Sequence, residues 1–255
     1  MQQDKNLFNP GFVPEPEIYI QRRIGRGAVK NRTEDLMDLV YLWDNQVEPD
    51  TEAWLFLHHT SMTAYFKIEE TNPRAEIKEH MGRVCTDSAC ELFLCLPDEN
   101  EAFVTEETHP ELFYTDADDT ALGRLSAEGA LQLPFKAQAE HHLYINIEVN
   151  ALGCIYAKYG RSRQNRIPFT EEMLKALEIE VQHFADHWEM QINVPYSVIN
   201  EIAGFKLMKP GCVFGWNLCK ISETPEIEHY ASMADIDCDH PDFHRPQDFL
   251  TMLML

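Results

Sequence analysis

Hydrophobic and polar positions alternate most clearly between Leu131 and Ile192. Three apolar runs stand there, Leu131–Ala137, Leu143–Val149 and Gly153–Tyr159. In the middle run Leu143, Ile145, Ile147 and Val149 alternate with Tyr144, Asn146, Glu148 and Asn150. A period of two predicts a strand with one buried face. The short turn Asn150-Ala151-Leu152-Gly153 then predicts an antiparallel neighbour. Beyond a polar loop, Met173, Leu174, Leu177, Val181, Phe184, Ala185, Trp188 and Ile192 recur at helical spacing. Thr170 is a suitable N-cap, followed by Glu171 and Glu172 at the positive end of the dipole. The spacing therefore predicts one helix from Thr170 to about Ile192, roofing a three-stranded meander.

Upstream, Leu36, Leu39, Val40 and Trp43 follow the candidate cap Thr33. A second apolar segment follows Thr51, through Trp54, Leu55, Leu57, Met62, Tyr65 and Phe66, and both are read as helices. Asn72-Pro73 introduces a short helical stripe of Ile77, Met81 and Val84. Cys90–Leu96 reads as a strand, Pro97–Asn100 as a turn, and Ala102–Thr105 as a returning strand. Residues 106–130 read as an acidic loop. After the long helix, Val213–Ile221 is a further strand and Phe249–Leu255 an apolar end. The organisation predicted is an arm over residues 1–31, a helical lead-in over 32–71, a central domain over 72–192 and an extension over 193–255. The fold class is α/β (α+β), an antiparallel sheet flanked by helices.

Composition narrows the partners. The chain of 255 residues is 44% hydrophobic with only 11 glycines, which excludes disorder. Its 43 acidic against 21 basic side chains leave a formal charge of −22, which repels phosphate backbones and anionic membranes. Neither nucleic acid nor membrane insertion is expected. Seven cysteines without a CxxC pair suit free thiols in the cytoplasm.

The order helix, strand, acidic turn, strand, long loop, strand, hairpin, closing helix is similar to a GAF domain, the small-molecule sensing module related to PAS domains. The likeness covers about residues 72–192. It rests on Ala89–Asn100 (ACELFLCLPDEN), on Leu143–Ala157 (LYINIEVNALGCIYA), where a glycine opens the second strand of a hairpin, and on Pro168–Leu174 (PFTEEML). The proline usual in that hairpin is replaced by Ile145-Asn146-Ile147, and no cyclic-nucleotide signature is present. The resemblance implies a sensory or regulatory module binding a small molecule, a protein partner or both, with the lead-in helices making a homodimer. A ligand would lie between a sheet face and the loop over 106–130, against Phe113, Tyr114, Arg124, Tyr144, Asn146 and Tyr156.

No cofactor is assigned and no catalytic signature is found: there is no GxSxG, P-loop or protease cysteine context. Cys238, His240 and His244, among Asp237, Asp239 and Asp242, are the only sequence-local group with metal-ligand character. They define the alternative of a metal-dependent enzyme. A structural interaction protein with a closed pocket is the other. His183 and His187 stand four apart but off the apolar stripe, so they are expected to face solvent.

Overall fold

The computed structural model describes residues 17–24, 35–113, 122–125 and 133–255. Two β-sheets pack together around one hydrophobic core. The larger runs in the order Arg166–Pro168, Ile155–Gly160, Leu143–Asn150, Ala89–Leu96, Val213–Ser222, Leu250–Met254, Ile18–Gln21, Leu122–Leu125. All these pairs are antiparallel except Ile18–Gln21 with Leu250–Met254. The free part of the Val213–Ser222 edge takes His229–Ser232, which in turn pairs with Val40–Tyr41. The smaller sheet, wholly antiparallel, orders Glu178–His183, Trp188–Pro195, Ser61–Ile68, Thr51–Leu57 and Met37–Asp38.

The core is aromatic where the sheets meet. Trp54 of the smaller sheet and Trp216 of the larger stand edge to face at 5.2 Å, with Tyr19 at 5.3 and 5.8 Å from them. Such pairs add about 0.5–1.5 kcal/mol beyond their buried area. One polar cluster is enclosed here. Lys220, with no exposed surface, donates to Ser88 Oγ at 2.8 Å and to His229 Nε2 at 2.6 Å, and lies 3.9 Å from Glu70 Oε2. His229 Nδ1 donates to the Ile227 carbonyl, which leaves Nε2 free to accept from the lysine. Burial, reinforced by the Lys220 charge, holds the His229 pKa down to about 3, so the imidazole is neutral.

Several sequence expectations are corrected. The helix that starts at Thr170 is real but short. Thr170 Oγ1 accepts from the Met173 N–H and the helix spans only Glu171–Ala176. Leu177 is already extended, and the rest of the expected helix is the hairpin Glu178–His183 and Trp188–Pro195. Within it Trp188, Met190, Ile192 and Val194 are buried while Glu189, Gln191, Asn193 and Pro195 are half-buried, a period of two. His183 is exposed and His187 half-buried. The segment after Thr51 is likewise a hairpin, Thr51–Leu57 with Ser61–Ile68. Ile77 and Met81 lie in loop structure, and Val84 opens a 3-10 turn. Ala102–Thr105 forms no strand, only a bridge from Phe103 to Cys212. The third ribbon beside Leu143–Asn150 is Ala89–Leu96 rather than Leu131–Ala137, whose described residues, 133–137, are irregular. The molecule is a mostly β sandwich with an antiparallel sheet as expected, but helices do not flank it.

Candidate functional site

Residues directly opposed in an antiparallel pair share a face of the sheet. Along Leu143–Asn150, Ile145, Ile147 and Val149 therefore point one way with Leu92, Leu94 and Cys90. Tyr144, Asn146, Glu148 and Asn150 point the other way. On that second face Glu148 is flanked by Glu91 on one neighbouring strand and Tyr156 on the other. Asn146 is likewise flanked by Phe93 and Lys158. Glu91 and Glu148 retain only 3% and 6% of their surface.

What covers these carboxylates leaves a cavity of about 200 Å³ above them. Its walls come from distant parts of the chain. Arg163 and Arg166 arrive from the loop and edge strand after Ile155–Gly160. Arg83 and Cys85 belong to the 3-10 turn region, while Ile221 and Glu223 end a central strand. Tyr230 and the segment from Pro241 to His244 close the remaining side. Trp43 supports this wall, edge to face with Tyr230 at 5.9 Å and tilted against Phe243 at 5.6 Å. Its Nε1 donates to the Cys238 carbonyl.

Each guanidinium has a partner. Arg83 Nη2 meets Glu223 Oε2 at 3.0 Å, and Arg163 Nη1 meets Asp242 Oδ1 at 3.0 Å. Arg166 Nη1 donates to Asn146 Oδ1 at 2.7 Å. Asp242 Oδ1 also accepts the His244 N–H, while His244 Nδ1 lies 3.2 Å from the Tyr144 hydroxyl. Burial, then the Arg166 and Arg163 charges, holds the His244 pKa well below the ordinary histidine range, so the ring is neutral. Burial, then the charges of Glu148 and Glu223, pushes Glu91 well up; burial likewise pushes Glu148 up to about 7. The site thus presents carboxyl acceptors and protonated carboxyl donors. Guanidinium N–H groups and the side chains of Tyr156, Tyr230 and Phe243 complete it. Such a mix of orienting polar groups and apolar walls suits a small, hydroxyl-rich ligand.

The sequence candidates are distributed as follows. Tyr144, Asn146 and Tyr156 share the face that carries the cavity, and Tyr156 lines it. Phe113, on the helix Pro110–Phe113, lies beside Gly211 and does not line it. Arg124 is carried on Leu122–Leu125 at the opposite edge of the large sheet. Tyr114 lies outside the described residues. Cys238 Sγ and His240 Nδ1 are 3.5 Å apart, but His244 turns instead to Tyr144 and Phe93. Among the described residues no group of three or more His, Cys, Asp or Glu side chains could hold a metal ion. The metal-dependent enzyme alternative finds no support: the third intended ligand, His244, is turned toward Tyr144 and Phe93 instead. Glu91, Glu148, Arg163, Arg166 and Glu223 were not anticipated. The available signal was the single carboxylate inside the apolar run Cys90–Leu96; Glu148 stood on the polar face of an alternating strand and gave none.

A broader depression of about 1070 Å³ lies at the end of the smaller sheet, among His58, Thr63, Glu178, Asn193 and Tyr196. Its polar groups satisfy one another: Thr63 Oγ1 donates to Asn193 Oδ1 and Asn193 Nδ2 to Glu178 Oε2, both at 3.0 Å. The Tyr196 hydroxyl donates to the His58 carbonyl at 2.8 Å. It is the more open of the two and lacks the cluster of buried carboxyl and guanidinium groups, so the smaller cavity is the stronger candidate. Among the described residues no helix is long and apolar enough to cross a membrane.

Comparison with known proteins agrees with the sandwich. The model of a family described as carbohydrate-binding family 9 matches residues 127–255. Among solved structures, the chain is similar to a putative carbohydrate-binding protein from Bacteroides uniformis. That likeness has a TM-score of 0.67 at 16% identity and covers 94% of this chain and 100% of the other. It is also similar to a family 9 carbohydrate-binding module from Caldicellulosiruptor kristjanssonii in complex with glucose. There the TM-score is 0.53 at 8% identity, with coverage of 93% and 95%. No curated protein matches the chain. These findings overturn the GAF resemblance, and with it the sensory function: the family match is to a carbohydrate-binding family and the fold neighbours are sandwiches of that kind.

Proposed function

This chain belongs to carbohydrate-binding family 9, and on that premise we propose that it is a non-catalytic carbohydrate-binding domain that holds one sugar ring in the cavity over Glu91 and Glu148. The observation that carries this reading is the cavity with carboxyl groups at its floor and guanidinium and aromatic groups on its walls. At about 200 Å³ it is smaller than the roughly 300–1,000 Å³ of drug-sized sites. A single pyranose fits that scale better than a longer oligosaccharide enclosed whole. Sugar hydroxyls both donate and accept, and the site offers both kinds of partner. The faces of Tyr156 and Tyr230 can cover the C–H surface of a ring.

Affinity should be modest. A monosaccharide has about 12 non-hydrogen atoms; at roughly 0.3 kcal/mol each the binding free energy is about −4 kcal/mol, a Kd of about 1 mM. Titration calorimetry against a panel of mono- and disaccharides tests the reading. Saturable binding of at least one sugar, weakened about tenfold or more by Tyr156→Ala with an unchanged thermal midpoint, is the expected result. Absence of binding across the panel, or full binding by the variant, counts against it. Incubation with any disaccharide that binds should release no monosaccharide.

A further inference from the structure

The cavity floor holds two carboxyl groups to which no described side chain around them donates a hydrogen bond. Glu91 and Glu148 are directly opposed on neighbouring antiparallel strands, which puts their Cβ atoms about 4.5–5.5 Å apart on one face. Both are more than nine-tenths buried and both line the cavity. Among the described residues neither accepts a hydrogen bond or pairs with a base. The three arginines on the walls direct their hydrogen bonds to Glu223, Asp242 and Asn146, so that Arg163 and Arg166 act on the two carboxyls only at a distance. Lys158, next on the same face, holds its ammonium 5.0 Å from the Tyr156 ring centroid. Asn146, two residues from Glu148 on this face, keeps a buried Nδ2 without an acceptor.

A ligand that lets both carboxyls ionise has to bring positive charge and several donors to one point. A neutral hydroxyl supplies one donor to a pair whose burial and crowding already force protons onto it. A uronic acid brings one more carboxyl group to a pair that burial and mutual repulsion already drive to hold protons, on a chain of net charge −22. A primary ammonium supplies three N–H donors and a unit charge, enough for both carboxylates at once. We propose that the cavity selects a pyranose bearing a free amino group, its ammonium seated between Glu91 and Glu148. This rests on the reading that the cavity holds a sugar.

The test is calorimetry of the full chain with glucosamine, glucose, N-acetylglucosamine and glucuronate in one buffer. Glucosamine should bind about tenfold or more tightly than the other three, since a charge-assisted hydrogen bond contributes about 1.4 kcal/mol or more. Glu91→Gln and Glu148→Gln should each bring the glucosamine-to-glucose affinity ratio close to one. That ratio is readable whether or not each variant weakens binding generally. Should glucosamine bind no better than glucose or N-acetylglucosamine, the amino-sugar assignment is overturned while the sugar-site reading stands. Tightest binding of glucuronate overturns it equally. Binding of none of the four removes the assignment and argues against the site itself, and the wider sugar panel then decides between those two failures. An unchanged ratio in both variants overturns the placement of the ammonium.

Discussion

Glu148 shows how one residue sets a property of the whole chain. Burial, with the nearby charge of Glu223, lifts its pKa to about 7 from an ordinary value of 4.5. The folded protein thus keeps a proton that the unfolded chain has already lost. The stability so contributed is full below pH 4.5 and is lost as pH rises through about 7. The difference amounts to about 3 kcal/mol at 1.36 kcal/mol per pH unit. Glu91, shifted in the same direction by burial and by Glu148, adds to the same slope. Buried neutral His229 gives the opposite slope, its share being lost as pH falls from 6.5 toward 3. Urea denaturation of the wild type and Glu148→Gln at pH 5 and pH 8 separates these contributions. The variant should be more stable than the wild type at pH 8 by about 1–3 kcal/mol, with a smaller difference at pH 5. A variant that is less stable at pH 8 than at pH 5 by as much as the wild type would show that Glu148 carries no such proton. These residues were partly legible beforehand. A lone Glu inside Cys90–Leu96 is a charge placed where apolar side chains are the rule, whereas Glu148 stands on the polar half of an alternating strand. What could not be read was that the two strands are neighbours in register.

At the scale of elements, the central misreading has a specific cause. Leu177, Val181, Phe184, Trp188 and Ile192 are spaced by three and four, as on a helix, yet Leu177, Ile179 and Val181 also alternate with Glu178 and Glu180. The same is true of Trp188, Met190, Ile192 and Val194. Two superimposed periods fit one segment, and the turn between the strands contains neither glycine nor proline to break the tie. The structure closes that turn with Phe184 N–H donating to the His187 carbonyl, and with Phe184 stacked on His187 at 4.4 Å. The β-branched residues Ile179, Val181 and Ile192 favour the strand. Where glycine does mark a boundary, two cases separate backbone strain from steric conflict. Gly204 ends the helix Tyr196–Ala203 with φ +81°, and a Cβ there would meet nothing within 4 Å. Gly211 has φ +86°, and a Cβ there would lie 2.2 Å from the Val104 carbonyl oxygen. Gly204→Ala should therefore cost about 1 kcal/mol, the left-handed penalty alone. Gly211→Ala should cost several times as much, because the backbone of Val104 must shift. Chemical denaturation of the two variants measures the contrast; equal losses would mean that the Val104 contact yields freely.

Over the whole molecule, the strands that complete the large sheet come from opposite ends of the sequence. Leu250–Met254 lies between Val213–Trp216 and Ile18–Gln21, pairing antiparallel with one and parallel with the other. No local pattern announces such pairings. The sequence marks Leu143–Asn150 and Val213–Ser222 as strands, but not that Ala89–Leu96 stands between them. That strand carries Glu91 to Glu148, so the site becomes visible only with the topology. The same arrangement makes the last strand indispensable. Met252, Leu253 and Met254 are fully buried and Leu250 nearly so. At about 1.5–3 kcal/mol for each large apolar side chain, these four contribute roughly 6–12 kcal/mol. That is comparable with the 5–15 kcal/mol net stability of a typical domain. Removing them also strips pairing partners from Ile18–Gln21 and exposes the flank of Trp216 and Phe214. A chain ending at Phe249 should therefore lose its cooperative thermal transition and its sugar binding together. The binding loss is expected although the truncated strand lies across Val213–Ser222 from Glu91 and touches no part of the cavity. A truncated chain that still melted cooperatively and bound sugar would mean that the cavity half of the sheet folds by itself.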